Sequence, residues 1–180
     1  NIEIARKCTN RFNNNYLCDF FPEPENFYLS DTSVKIPGLD GSGKMGKSEG
    51  NGIYLVDDEK AIHKKVMKAV TDSGPTEPNS KMAESVENLF TLLKIVSTPE
   101  VVNQFTEAYN NCSIRYGDLK KQLATDICKH TLPIKEKFEA IYNDEDYLKR
   151  VIKRGTDLAR ESAQATLTEA KKAVGFRSFL

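Results

Sequence analysis

The sequence predicts a mostly α-helical protein in which a remnant of an α/β domain precedes a helical bundle. Three observations predict it. From Asp57 to Gly175 apolar residues recur at intervals of three and four, the repeat of helices with one buried face. Residues 1–56 offer one amphipathic helix and one or two short extended runs, too little to close a sheet. No apolar run approaches the roughly 20 residues that span a bilayer.

Taken in order, Ile4, Cys8 and Phe12 lie four apart in residues 2–15, a short helix that ends in the run Asn13-Asn14-Asn15. Residues 16–43 contain Pro22, Pro24 and Pro37 with scattered aromatics, which reads as extended or loop structure with a short strand near Tyr28–Ile36. Gly52-Ile53-Tyr54-Leu55-Val56 is a second extended run. Asp57 or Asp58 can cap a helix whose apolar side is Ile62, Val66, Ala69 and Val70. A loop with Gly74, Pro75 and Pro78 covers 71–82, and a helix carrying Val86, Leu89, Phe90, Leu93 and Val96 follows. Thr98-Pro99-Glu100 starts another, with a capping hydroxyl, proline at the first helical position and an acid in the first turn. That helix is expected to bury Val101, Val102, Phe105 and Tyr109.

Asp118 opens a longer element with Leu119, Leu123, Ile127, Ile134, Phe138 and Ile141 in register, which Pro133 must kink or restart. The last helix is expected from about Asp144 to Val174. Leu148, Val151, Ile152, Leu158, Ala159, Ala163, Leu167 and Ala170 share one side of it, and Gly175 forms a left-handed cap. Residues 57–175 thus read as a packed bundle of about five helices. The first residue is Asn1 rather than Met, and the strands that would complete a sheet are expected upstream, so the chain reads as a piece of a longer protein.

Lys and Arg balance Asp and Glu at 26 each, so the total charge advertises no polyanion binder. Residues 149–180 carry eight basic and three acidic side chains, a local excess that suits a polyanion and equally a solvated helix face. Cys8, Cys18, Cys112 and Cys128 form no CxxC pair and no zinc spacing, and read as free thiols in a reducing, cytoplasmic compartment. His63 and His130 belong to no ligand motif and read as ordinary helix residues.

The chemistry is concentrated in Gly38-Leu39-Asp40-Gly41-Ser42-Gly43-Lys44-Met45-Gly46-Lys47-Ser48-Glu49-Gly50-Asn51. Glycines let backbone N–H groups approach an oxyanion, and two lysines three apart supply mobile point charges. Gly41 to Ser48 formally satisfies G-x-x-x-x-G-K-S, the phosphate loop of nucleoside triphosphatases. That loop needs a buried strand before it and a helix starting at its lysine. Here a half-polar run ended by Pro37 precedes it, and Gly50 and Gly52 follow.

Lys44-Met45-Gly46-Lys47-Ser48 also resembles the Lys-Met-Ser-Lys-Ser signature of class I aminoacyl-tRNA synthetases. Its flanks are Phe21-Pro22-Glu23-Pro24, Ile36-Pro37-Gly38-Leu39-Asp40-Gly41, Ile53-Tyr54-Leu55-Val56-Asp57-Asp58 and Ala69-Val70-Thr71-Asp72-Ser73. With them the sequence resembles bacterial-type tryptophanyl-tRNA synthetases, tyrosyl-tRNA synthetases being the nearest relatives. The resemblance is strong over 1–73 and lies in helix pattern beyond. Gly46 departs from the serine usual in the signature, and no His-Ile-Gly-His-type signature occurs in the sequence.

The resemblance implies that residues 1–56 are the C-terminal part of a Rossmann-like α/β catalytic domain, with its signature loop at 44–48. It implies that 57–180 form the helical domain that meets the tRNA anticodon. Lys44 and Lys47 become the expected catalytic residues, with Ile36, Lys44, Met45, Gly46, Lys47 and Ser48 at ATP. Lys149, Arg150, Lys153 and Arg154 recur at one-turn spacing and are expected at tRNA phosphates. The implied partners are ATP with Mg2+ as substrate, tryptophan and tRNA(Trp), in a homodimeric parent without a membrane anchor. No bound metal or iron–sulfur cluster is expected in this chain. The rival readings are a tyrosyl-tRNA synthetase fragment, a non-catalytic RNA-binding helical module and a phosphate-loop NTPase fragment.

Overall fold

The structure, a computed structural model, describes residues 1–27 and 35–176. Its helices are α1 (Ile2–Asn15), α2 (Glu59–Met67), α3 (Glu84–Val96), α4 (Pro99–Asn110), α5 (Tyr116–Tyr142) and α6 (Glu145–Ala173). No β-strand occurs among the described residues. Most of the strand expected near Tyr28–Ile36 lies outside them. The second expected strand is corrected outright: the chain turns at Leu55–Val56. Asp57 N–H donates to the Tyr54 carbonyl at 3.0 Å, and the Asp57 carboxylate accepts from Tyr54 N–H at 2.9 Å. An aspartate that bonds its own upstream backbone forms a turn in preference to a lone unpaired strand.

By compactness the chain divides into Val34–Asn143 and a second unit of Asn1–Ser33 with Asp144–Leu180. In the first unit α2, α3, α4 and the N-terminal half of α5 enclose the core. Ile62 and Val66 meet Val86, Leu89, Leu93, Tyr109, Leu119, Leu123 and Ala124, and Leu39 joins them from the glycine-rich segment. Asp58 caps α2 by accepting from Ala61 N–H at 2.7 Å. Pro99 stands in the first turn of α4 as its sequence requires. Thr98 makes no side-chain cap, and its side chain beside Glu100 holds that carboxyl below its usual range. Of the α4 residues expected inside, Tyr109 alone is buried, while Val101, Val102 and Phe105 lie half-buried against the core.

α5 runs unbroken through Pro133, so the proline neither ends nor restarts the helix. Its buried residues stop at Thr131, and Ile134, Phe138 and Ile141 are exposed. The missing donor therefore falls where packing has already ended.

The expected five-helix bundle is corrected to four. α6 is capped by Asp144, which accepts from Tyr147 N–H at 2.8 Å, and ends at Gly175 with φ 73°. It buries none of its residues, and Val151, Ile152, Leu158 and Leu167 are exposed. Periodicity identifies a face able to pack; it does not supply the surface that covers it.

In the second unit the Asn13 side chain does more than end α1. It accepts from Phe20 and Phe21 N–H and donates to the Phe21 carbonyl at 2.8 Å, folding the following segment back. Phe12 consequently meets Tyr16, Phe20 and Phe21 with ring centroids 4.9, 5.8 and 4.9 Å away.

Candidate functional site: a clasped lysine loop

Residues 36–51 fold into a loop rooted on the four-helix core. Met45 N–H donates to the Ile36 carbonyl at 2.8 Å, and Gly38 N–H to Ser42 O at 3.0 Å, bringing the two arms together. Gly41 makes the reversal at φ 86°, a conformation costly for a residue with a Cβ. Leu39 buries its side chain and accepts from Val70 N–H at 3.0 Å, so the loop is sewn to the end of α2. Asn88 on α3 donates to the carbonyls of Gly41 and Ser42 at 3.1 Å each.

From below, Asn51 holds the lysine-bearing arm. Its Oδ1 accepts from Gly46 N–H at 2.9 Å, and its Nδ2 lies 3.0 Å from the Lys44 carbonyl. Asp40, a third contact of that carboxamide, is held below the usual carboxylate range by Ser42, whose side chain lies beside it and whose N–H donates to it at 3.0 Å, with Asn51 adding to them.

Above the clasp lies an open cavity of about 530 Å³ lined by Lys35, Asp40, Ser42, Gly43, Lys44, Met45, Gly46, Lys47, Ser48 and Glu49. Five of the six residues expected at nucleotide line it, and the sixth, Ile36, is joined to Met45 through the backbone. Lys44 and Lys47 are exposed, and among the described residues neither is in an ion pair. An anion entering the cavity thus meets solvated lysines whose backbone is fixed while the side chains can swing.

At the discriminating position, residues 47–50 form a turn and the next helix begins at Glu59. A phosphate loop needs a helix N-terminus at Lys47, so the formal G-x-x-x-x-G-K-S match has no phosphate-loop context.

Lys149, Arg150, Lys153 and Arg154 are exposed on α6, in the other compact unit, with Lys149 paired to Glu145 at 3.3 Å. Sequence reasoning missed Lys35, Asn51 and Asn88. Gly50-Asn51-Gly52 reads as turn composition, and Asn88 is hidden in an apolar helix. A buried polar residue on a core face was the available signal for Asn88.

His63 lies 4.0 Å from Glu59 on its own helix, and the His130 ring nitrogen lies 2.9 Å from the Val96 carbonyl. All four cysteines are free, and burial, with Glu59 nearby, pushes the Cys128 thiol up. Among the described residues no group of three or more His, Cys, Asp or Glu side chains is arranged to hold a metal. No described helix is long and apolar enough to cross a membrane.

Residues 1–131 match the family model for tRNA synthetases class I (W and Y). A tryptophan–tRNA ligase from Porphyromonas gingivalis is 61% identical over 177 residues, covering 98% of this chain and 54% of that protein. One from Streptococcus pneumoniae is 35% identical over 184 residues, covering 99% and 53%. The crystal structure of a tryptophanyl-tRNA synthetase from Campylobacter jejuni, complexed with ADP and tryptophan, superposes with TM-score 0.75 at 26% identity, covering 97% of this chain and 53% of that one. The chain spans about half the length of the curated relatives it matches.

Proposed function

Because the chain belongs to the class I tRNA synthetases for tryptophan and tyrosine, we propose that it supplies the lysine loop and helical portion of an ATP-dependent tryptophan–tRNA ligase. The observation that carries this reading is the clasped loop, with Lys44 and Lys47 facing an open cavity of about 530 Å³. Tryptophan is favoured over tyrosine because the relatives at 61% and 35% identity are both tryptophan–tRNA ligases.

In this reaction the tryptophan carboxylate attacks the α-phosphorus of ATP in line, and negative charge gathers on the departing pyrophosphate. A cation that reaches the leaving group as that charge develops stabilises the transition state more than bound ATP. Lys44 and Lys47 have the mobility for this and a backbone that returns them to the same place. Ser48 and the peptide groups of Met45 and Gly46 border the nucleotide, with Ile36 beside the adenine. Mg2+ arrives with ATP as part of the substrate, and the aminoacyl group passes from the adenylate to tRNA(Trp).

In the same reading, residues 1–56 belong to a Rossmann-like catalytic domain and 57–180 to the domain that meets the anticodon. The basic pairs Lys149/Lys153 and Arg150/Arg154 then rest on tRNA phosphates. The whole enzyme is a cytoplasmic homodimer.

The test is tryptophan-dependent pyrophosphate exchange by the complete ligase containing this chain. Lys47→Ala should slow activation about a hundredfold, the scale of one lost transition-state contact, with tryptophan affinity unchanged. An unchanged rate removes the assignment.

A further inference from the structure

We propose that Asn51 is a positioning residue for the activation step, its buried carboxamide fixing the shape of the loop from which Lys44 and Lys47 act. This rests on the assignment of those lysines to the leaving pyrophosphate.

Every hydrogen bond that this side chain makes goes to this loop. Nδ2 lies 3.1 Å from Asp40 Oδ1, 2.9 Å from Ser42 Oγ and 3.0 Å from the Lys44 carbonyl, so its two N–H bonds are shared among three acceptors. Oδ1 accepts from Gly46 N–H at 2.9 Å. Gly46 N–H needs an acceptor, and the Lys44 carbonyl, which also accepts from Ser42 Oγ at 3.2 Å, needs a donor facing it, so the carboxamide satisfies both in one orientation only. These two peptide groups flank Met45, and Lys47 follows immediately. The Asn51 carbonyl also accepts from Leu39 N–H at 3.0 Å, tying the clasp to the buried anchor of the loop. With Asn51 only 6% exposed, water cannot replace these bonds unless the loop opens.

Gly38 supplies an independent observation. A Cβ there would stand 2.4 Å from Asn51 Nδ2, 2.5 Å from Asp40 Oδ1 and 2.7 Å from Ser42 Oγ. Its φ is outside the left-handed region, so what this glycine contributes is space, and the clasp fills it. The two positions are thirteen residues apart in sequence yet serve one shape. Misplacing a transition-state contact by about 1 Å can cost on the order of a hundredfold in rate, so a loosened loop is felt at the lysines.

The experiment measures pyrophosphate exchange by the complete ligase, with rates divided by active sites counted from the adenylate burst. Asn51→Ala should lower kcat per titrated site about tenfold or more while leaving the tryptophan KM unchanged, and Gly38→Ala should reproduce the effect. If the alanine variant does not fold, Asn51→Ser removes the clasp without placing a charge beside Asp40 and carries the same comparison. Lys47→Ala should cost about a hundredfold beside Asn51 but less than about tenfold in the Asn51→Ala background, because the lysine already acts from a displaced backbone. Unchanged kcat per titrated site in Asn51→Ala, or losses that multiply fully in the double variant, overturns the positioning role. An unaltered rate for Lys47→Ala with Asn51 intact instead overturns the lysine assignment, and the two failures are read from different proteins.

Discussion

The carboxamide of Asn88 donates to the Ser42 carbonyl at 3.1 Å, joining α3 to the lysine loop across 46 residues of sequence. The same nitrogen reaches the Gly41 carbonyl, so both peptide groups at the reversal are held by the helix. Asn88 sits between the buried residues Val86, Leu89 and Phe90, which places its side chain at the edge of the core.

Asn88→Ala should therefore destabilise the 180-residue chain by about 1 kcal/mol, the net worth of the hydrogen bonding lost, since the Ser42 carbonyl keeps the Gly38 N–H. Urea unfolding measures it. Amide exchange in residues 41–46 should quicken more than exchange in α5, since the bond lost belongs to the loop root. Equal acceleration in both would mean that Asn88 supports the core alone.

The helices were legible because each carries its own signals. Asp58, Pro99 and Gly175 stand where the pattern of caps, first turns and stops puts them. The lysine loop was legible from Lys44-Met45-Gly46-Lys47-Ser48 and its flanks. What escaped was tertiary. The α6 face was readable as apolar while its exposure was not, and Ile53–Val56 looked extended because alternation cannot reveal a missing neighbouring strand. Asn51 and Asn88 escaped because a carboxamide that bonds distant backbone leaves no period in the sequence, and the one mark Asn88 left was a polar residue among apolar ones.

Tyr116 donates its hydroxyl to Asp72 Oδ1 at 2.6 Å, linking the start of α5 to the loop after α2. Burial, then the Asp72 hydrogen bond and charge, push the Tyr116 phenol well above its ordinary value of 10.0. A phenol whose folded pKa is raised contributes stability that is complete below the unfolded value and is lost as pH climbs through the folded one. Spectrophotometric titration of the folded chain should show one tyrosine ionising late, and Tyr116→Phe should remove that late step. The variant should also lose about 1 kcal/mol at neutral pH, since the contact is partly solvated.

Asp126 is buried at the α3–α5 contact. Burial alone would raise its carboxyl, but Gln122, Lys129 and Ser97 donate to it at 2.9, 2.7 and 2.7 Å, and the Lys129 charge adds to them. The net effect holds the carboxyl below its ordinary 3.8. A depressed carboxylate stabilises fully above the unfolded value and loses that contribution as pH falls through the lower folded one. Asp126→Asn should thus be less stable than the parent chain near neutrality. The difference should shrink below pH 3.8, where the unfolded parent gains a proton before the folded one. A constant gap from pH 7 to pH 2 would show that Asp126 acts by shape rather than charge.

The 180-residue chain alone should catalyse no tryptophan-dependent pyrophosphate exchange. An indole needs an apolar slot that removes most of its surface from water, with few polar groups to orient it. The cavity beside Lys44 and Lys47 is open, and Met45 is the one large apolar residue in a lining of lysines, acids, serines and glycines. Such a surface suits polyphosphate and gives tryptophan nothing to bury against. Isothermal titration should accordingly detect pyrophosphate binding that weakens with added salt, as solvated lysine contacts must. Tryptophan should produce no heat under the same conditions. Exchange activity in the isolated chain would mean that these residues assemble an amino-acid pocket of their own, and the lysine loop would no longer be one component of a larger site.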